Sequence, residues 1–547
     1  MPRRKALHGA GLMAFPVLLL AGAALAQPLP QRAGDLFLDE RFEGTARIPP
    51  GFGGLDPFAL PFGSGPAAAA PGPPPAWSLT PSIGAELRAT DNISPGSSTK
   101  RSELITSITP GLIATADLAR LTGRLSYAPA IRFYARDADS NGIDHNFSGQ
   151  ALATLVEETL FLDLRGFGGV QVLGGGSTAE GTTATSRSDQ VQTASFQVSP
   201  YVLRRFGDIG TAQLGYTYGY TTQEGDRAFL PGATQPFFES QEITSHTLFG
   251  VLRSGQAFGR VSSVLSLNAT EYEGTGVLAG GHRRLALVEL AYALTRQVAV
   301  LVEGGYEDIA FGGTNPFDVA GPVWAVGVRL NPGPGSQVIL RYGRRDGFNS
   351  LRLDAGVDVG VRTRLFASYA EQISSSALQA GGLLSSATID RDGNFVNADT
   401  GAPLISPFGG SLFAVQNSVQ RTKRGTLGLT QSFERDVVTL LLTYEDRTPI
   451  TAASGTETFA QEGWTAGLSW NRLLTPTLTG NLAGQYGRSE SRGTGSGSVY
   501  SVRAGVTQEL APGLVGSLQF IHLNSEAGLI SRRNAQNVVI LGLRQSF

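Results

Sequence analysis

From Trp77 to its last residue this chain alternates. Trp77, Leu79, Ile83, Ala85, Leu87 and Ala89 are separated by Ser78, Thr80, Ser82, Gly84, Glu86 and Arg88. A β-strand points successive side chains to opposite faces, so such a segment separates an apolar face from a polar one. The pattern recurs with Leu121, Leu125, Tyr127, Ile131 and Phe133 on one face, and Thr122, Arg124, Ser126, Arg132 and Tyr134 on the other. It recurs again over residues 436–445. No segment beyond the amino terminus reaches the roughly 20 consecutive apolar residues a spanning helix needs, which excludes a helical membrane protein.

A soluble β-sandwich also alternates, but its strands are short. Here the alternating segments run about 10 to 15 residues, against a usual five or six. A tilted membrane strand needs roughly 9 to 11 residues in the hydrocarbon alone. Connections alternate too. They are tight at Asp117-Leu118, Glu157-Glu158, Glu434-Arg435 and Ala511-Pro512, and long over residues 174–187, 223–239 and 374–415. Short turns at one end and long loops at the other describe an antiparallel, up-and-down transmembrane β-barrel of a bacterial outer membrane, with about 22 strands. One strand is expected to begin near Gly321. An even count leaves both ends of the barrel on the periplasmic side. The chain closes on Val539, Leu541, Leu543 and Phe547, outward positions that read as the signal taken up by the barrel assembly machinery.

Residues 1–26 read as a signal peptide, with Arg3, Arg4 and Lys5 before an apolar run and Ala24-Leu25-Ala26 as the cleavage site. Residues 27–76, with Pro49-Pro50, Ala67 to Ala70 and Pro73-Pro74-Pro75, read as a disordered periplasmic linker that cannot bury a core. Residues 77–547 form the barrel. The chain has no cysteine, which removes thiolate metal sites and cysteine nucleophiles. Its net charge of -2 is interspersed, which gives no reason to expect a nucleic-acid partner.

Charge falls on the polar face, where it avoids the roughly 2–4 kcal/mol cost of facing lipid at the midplane. Arg88, Arg124 and Arg132 lie on early strands, and Arg341, Arg352, Arg362 and Arg364 form a later cluster, with Asp354 and Asp358 as expected counter-charges. Two readings stand. One is an arginine-lined passage suited to anionic solutes; the other is a ladder of inter-strand salt bridges that stiffens the wall. Asp137, Asp139 and Asn141, followed by Gly142 and Asp144, match the first half of a calcium loop, but Ser148 stands where its bidentate Glu belongs. An ordinary Asp/Asn/Gly hairpin tip explains the same residues, so no cofactor is expected beyond that weak calcium option. His145, His246, His282 and His522 lack any nucleophile context such as Gly-x-Ser-x-Gly, so no enzymatic activity is expected.

Trp77-Ser-Leu-Thr-Pro81-Ser, Thr90-Asp91-Asn92, Ser107-Ile-Thr109-Pro110-Gly111, Asp144-His145-Asn146 and Glu158-Thr-Leu160-Phe161-Leu162-Asp163 carry a resemblance. Over roughly 100 residues this opening is similar to outer-membrane barrels associated with PEP-CTERM/exosortase systems, related in style to β-barrel porins of the second type. The resemblance implies a link to exopolysaccharide production and export, and no catalytic residues. The partners expected are outer-membrane lipid, the assembly machinery, and polysaccharide or a periplasmic export component. A general diffusion porin, size-limited by loop 374–415 folding inward, and a non-conducting structural or attachment barrel are the alternatives.

Overall fold

The computed structural model describes residues 76–93, 100–173, 186–230, 233–333, 335–379, 387–389, 395–397, 413–492, 495–526 and 534–547. The expected signal peptide, the expected linker up to residue 75 and most of the expected loop 374–415 lie outside them.

The described residues are almost wholly β. The first strands are β1 (Trp77–Thr90), β2 (Glu103–Leu118), β3 (Leu121–Tyr127 and Ala130–Tyr134), β4 (Gly142–Asp144 and Phe147–Val156), β5 (Leu160–Val172), β6 (Gln190–Arg205), β7 (Gly210–Gly225) and β8 (Gln241–Ser254). Next come β9 (Val261–Gly274), β10 (His282–Ala293), β11 (Val298–Phe311), β12 (Phe317–Gly333), β13 (Ser336–Arg345), β14 (Phe348–Val359) and β15 (Thr363–Ser374). The last are β16 (Ser418–Ser432), β17 (Asp436–Ala452), β18 (Gln461–Thr475), β19 (Leu478–Ser491), β20 (Gly495–Ala511), β21 (Leu514–Glu526) and β22 (Asn534–Ser546).

Every strand pairs antiparallel with its sequence neighbour, and β22 returns to β1 from Ser82↔Ser546 to Thr90↔Val538. The sheet therefore has no free edge along its length. The sheet contains 24 segments, but β3 and β4 are each interrupted once, so the ring has 22 strands. The break in β3 falls at Pro129, which has no N–H to give the ladder.

The alternation predicts which way each side chain points. Leu79, Ile83, Leu87, Leu125 and Phe133 are exposed on the outer face, while Arg88, Arg132 and Tyr134 are buried inside. Val539, Leu541, Leu543 and Phe547 all face outward. Trp77, Trp324, Trp464 and Trp470 lie on the same outer face, where Trp464 meets Tyr486 at 5.4 Å and Trp324 meets Tyr342 at 6.3 Å. Rings at this position form the girdle of a membrane barrel.

Three boundaries differ from expectation, the first at Ala511, which belongs to β20 with the turn following it. Asp117 and Leu118 belong to β2, and the turn follows them at residues 119–120. The strand expected near Gly321 begins at Phe317. Gly321-Pro322 resembles a turn, but the ladder between β12 and β13 starts only at Trp324↔Arg344. Pro322 therefore sits on a stretch of β12 with no partner on that side, where its missing N–H costs no ladder bond.

Candidate functional site

A ring of 22 strands encloses more space than its own side chains fill. Here the long-loop end of that space is roofed. Residues 413–417, just before β16, reach the far side: the Val415 N–H donates to the Leu173 carbonyl at the end of β5 (3.0 Å). β5 and β16 lie half a ring apart. The Asn417 N–H donates to Phe237 (3.1 Å) in the β7–β8 loop, and the Ser376 hydroxyl donates to Gln223 on β7 (2.9 Å). Gln416 donates to the Phe459 carbonyl (3.2 Å) and to Gln461 (3.0 Å).

Apolar packing fills the spaces between these bonds. Phe237 and Phe238, both fully buried, join Leu173, Val191, Val415 and Phe459 in one core, with Phe237 edge-on to Phe459 at 5.7 Å. A second core gathers Ile243, Tyr272, Leu278, Ile309, Ile373 and Val419, from walls as far apart as β8 and β16. Inward folding of loop 374–415 belongs to the diffusion-porin alternative, and most of that loop lies outside the described residues. The lining-up of Phe237 and Phe459 with residues 413–417 was not expected, because these residues come from separate loops.

Below the roof, the wall from β10 to β15 is ionic. Arg341 on β13 lies 2.6 Å from Glu289 on β10 and 2.7 Å from Glu303 on β11. Arg352 on β14 pairs with the other oxygen of Glu303 at 2.6 Å, and Arg329 on β12 with Glu289 at 3.1 Å. Arg364 pairs with Asp358 at 2.7 Å, as expected. Glu289 and Glu303, which the sequence did not single out, are thus ion-pair partners of Arg341 and Arg352. Arg362 is not part of the cluster: it is exposed in the turn between β14 and β15. The β13–β14 tip is tied into the same network. Glu307 accepts the backbone N–H groups of Asp346 (2.8 Å) and Gly347 (2.9 Å), while buried Asp346 accepts from Arg283 (2.5 Å) and from the Ile373 N–H (3.1 Å).

The early arginines are paired too. Buried Arg88 meets Glu86, and Arg132 meets Asp144 at 2.9 Å; Arg124 faces inward on β3 and is half-buried. Asp144 also lies 3.4 Å from Arg187, Asp137 accepts from the Ser140 hydroxyl (2.7 Å), and Asn141 accepts from the Tyr134 N–H (2.7 Å). The oxygens of the calcium-like loop therefore serve Arg, Ser and backbone donors. Among the described residues no group of three His, Cys, Asp or Glu side chains is arranged to hold a metal ion, Asp139 included.

The arc from β6 to β9 has another chemistry. Among the described residues its inner face carries no Asp, Glu, Lys, Arg or His until Arg205 and Arg253 at the short-turn end. It is tied by hydroxyl pairs instead: Ser195 with Thr221 (2.8 Å), Ser199 with Thr217 (2.9 Å) and Thr247 with Thr270 (2.9 Å). The histidines stay out of the lumen. His246 faces outward against the Tyr216 hydroxyl (2.6 Å), and His145 lies against the Tyr127 hydroxyl (3.1 Å).

Outside the strands, Asp91 fastens the seam where the ring closes. Burial would raise its pKa, but hydrogen bonds from the Asn537 N–H (2.7 Å) and amide (2.8 Å), with Lys100 at 3.4 Å, hold it below the usual carboxylate range. Asp189, ahead of β6, is shifted upward by burial, against a hydroxyl bond from Ser186.

Among the described residues no helix is long and apolar enough to cross a membrane. A closed barrel with an apolar outer belt, an aromatic girdle and a polar interior crosses with strands, and the protein is a β-barrel of the bacterial outer membrane. No family model and no curated protein matches the chain. Among solved structures it is similar to the siderophore receptor PiuA from Acinetobacter baumannii, at 9% sequence identity over 85% of this chain and 82% of that one, with a TM-score of 0.47. It is also similar to the FrpB iron transporter from Neisseria meningitidis in its apoprotein form (10%, covering 87% and 82%, TM-score 0.47). A third is the ferric-catecholate import receptor Fiu from E. coli K12 (9%, covering 85% and 81%, TM-score 0.45). Likeness of that depth assigns neither a ligand nor a mechanism.

Proposed function

We propose that the protein is a gated passage of the outer membrane for a polar polymer, with exopolysaccharide as its cargo and residues 27–76 as the contact for a periplasmic export component. The observation that carries this reading is the roof. Five residues, 413–417, together with 376–379 bridge opposite walls through a few hydrogen bonds and two small apolar cores. Such a closure can part without unpairing the barrel strands. An open diffusion porin has no need of a packed roof, and the paired arginines argue against a fixed anion filter.

The test is conductance of the refolded protein in a planar bilayer, with Phe237→Ala beside the wild type and each with and without residues 27–76. Removing a buried Phe costs about 3–5 kcal/mol of local packing, enough to part a roof of this size. The expected result is little current in the wild type and large openings in Phe237→Ala, with the barrel still intact by heat-shifted gel mobility. Large steady current in the wild type sinks the gate. Current that depends only on deleting residues 27–76 moves the gate to that segment. Silence in all four forms sinks the passage and favours a structural or attachment barrel.

A further inference from the structure

The uncharged arc borders a recess of about 430 Å³ that runs along the inner wall of β5 to β9 and ends under Leu278, Ala377 and Leu378 of the roof. We infer that this recess binds a neutral saccharide chain. The inference names a cargo class for the passage proposed above and rests on that reading only for the use made of the bound sugar.

Its lining has the polarity of a sugar. Ser199, Thr217, Ser245, Thr247 and Asn268 offer hydroxyl and amide groups that both donate and accept, as saccharide hydroxyls do. The one charged pair at its edge is closed on itself: Arg165 donates twice to Asp163, at 2.9 and 2.8 Å. No net charge is left to select an ionic ligand. Phe249, half-buried, adds aromatic surface for the apolar face of a pyranose ring.

The recess is built rather than left over. The inner face of β7 reads Gly215, Thr217, Gly219, Thr221, while Tyr216, Tyr218 and Tyr220 point outward. A Cβ on Gly215 would lie 2.4 Å from the Phe249 ring, and one on Gly219 2.4 Å from the Ser245 hydroxyl. The two glycines thus let that ring and that hydroxyl lie close against the wall. From Ile243 to Val251 the lining follows nine residues of β8, about 27 Å at roughly 3.4 Å per rise. Level with Val251, buried Gln213 holds its amide nitrogen with no hydrogen-bond partner among the described residues.

The test is calorimetric titration of the full chain in lauryldimethylamine oxide, a detergent without a sugar headgroup. Maltohexaose, isomaltohexaose and cellohexaose are the neutral probes, and hexagalacturonate is the acidic one. Wild type and Phe237→Ala are both titrated, so that a closed roof cannot hide the site. Saturable binding of at least one neutral probe is expected, with hexagalacturonate about tenfold weaker. Thr247→Val together with Asn268→Leu should weaken the neutral probe by about tenfold, since each leaves sugar hydroxyls unpaired. Arg364→Gln, on the ionic wall, should leave it unchanged. No heat from any neutral probe with either form, equal binding of hexagalacturonate, or an unaffected double variant overturns the inference. Conductance without saccharide binding sinks this site and leaves the passage standing; binding without conductance does the reverse.

Discussion

The arcs β6–β9 and β10–β14 are neighbours in one wall and share one alternation, yet they satisfy their inward polar groups in different ways. Along β6–β9 the pairs are Ser and Thr hydroxyls on adjacent strands, such as Ser199–Thr217. Along β10–β14 a carboxylate reaches past its neighbour, so that Glu289 and Glu303 hold arginines three strands away at most. The difference follows from what each group costs to leave unpaired. A hydroxyl short of one bond in a wet lumen finds water cheaply, so the neutral arc keeps spare donors and acceptors for a ligand. A buried guanidinium or carboxylate cannot be left alone, so the ionic arc uses its charges on itself. An arginine-rich wall therefore need not be an anion site, and the plainer wall beside it is the better binding surface.

Three substitutions can break or sharpen this contrast. The largest effect is expected for Glu303→Ala, which strips Arg341 and Arg352 of a shared, nearly fully buried partner. Breaking a buried pair from one side costs about 3–5 kcal/mol, read as a fall in the urea midpoint of the barrel in micelles. A midpoint within error of wild type would mean that the arginines are hydrated and the ionic arc is open after all.

The matching change in the neutral arc is Thr247→Val. It removes one hydroxyl pair, but Thr270 keeps the Asn268 oxygen at 3.2 Å as an acceptor. A net cost of about 1 kcal/mol or less is expected in the same urea titration. A loss as large as that of Glu303→Ala would erase the distinction between the arcs.

The smallest effect belongs to the half-exposed pair at the seam. The pKa of Asp91 is depressed in the fold, so its contribution is present above the unfolded value of about 3.9 and is lost as pH falls through the lower folded value. Asp91→Asn should lose a small amount of stability at neutral pH and converge on wild type as pH falls through the folded value. A large loss at pH 7 would show that an exposed charge near the rim carries as much weight as a buried one in the ionic arc.

Much of the fold was legible because period two acts on every strand separately. The outward run Leu79, Ile83 and Leu87, the terminal Val539, Leu541, Leu543 and Phe547, and most strand starts needed only local alternation. The misreadings were local as well. Pro322 resembles a turn unless one knows that β13 does not reach that height. Arg362 resembles a lumen residue unless one knows that β14 ends at Val359.

Partnership was a different matter. Glu289 and Glu303 are single acidic residues in apolar surroundings, Leu287-Val288-Glu289-Leu290 and Leu301-Val302-Glu303-Gly304, with nothing nearby to signal a role. Their arginines lie 52 and 49 residues further along the chain in the pairs with Arg341 and Arg352. The roof depends on Phe237, Val415 and Phe459, which no periodicity relates.

The sequence alone determined that this chain is an outer-membrane barrel, where its strands run and which face of each meets lipid, because lipid and water act on each residue through its own polarity. Only the tertiary structure decided which charges cancel, which loops meet over the lumen and where an uncharged recess is left. Those outcomes depend on strand stagger and ring closure, which bring together residues far apart in the chain.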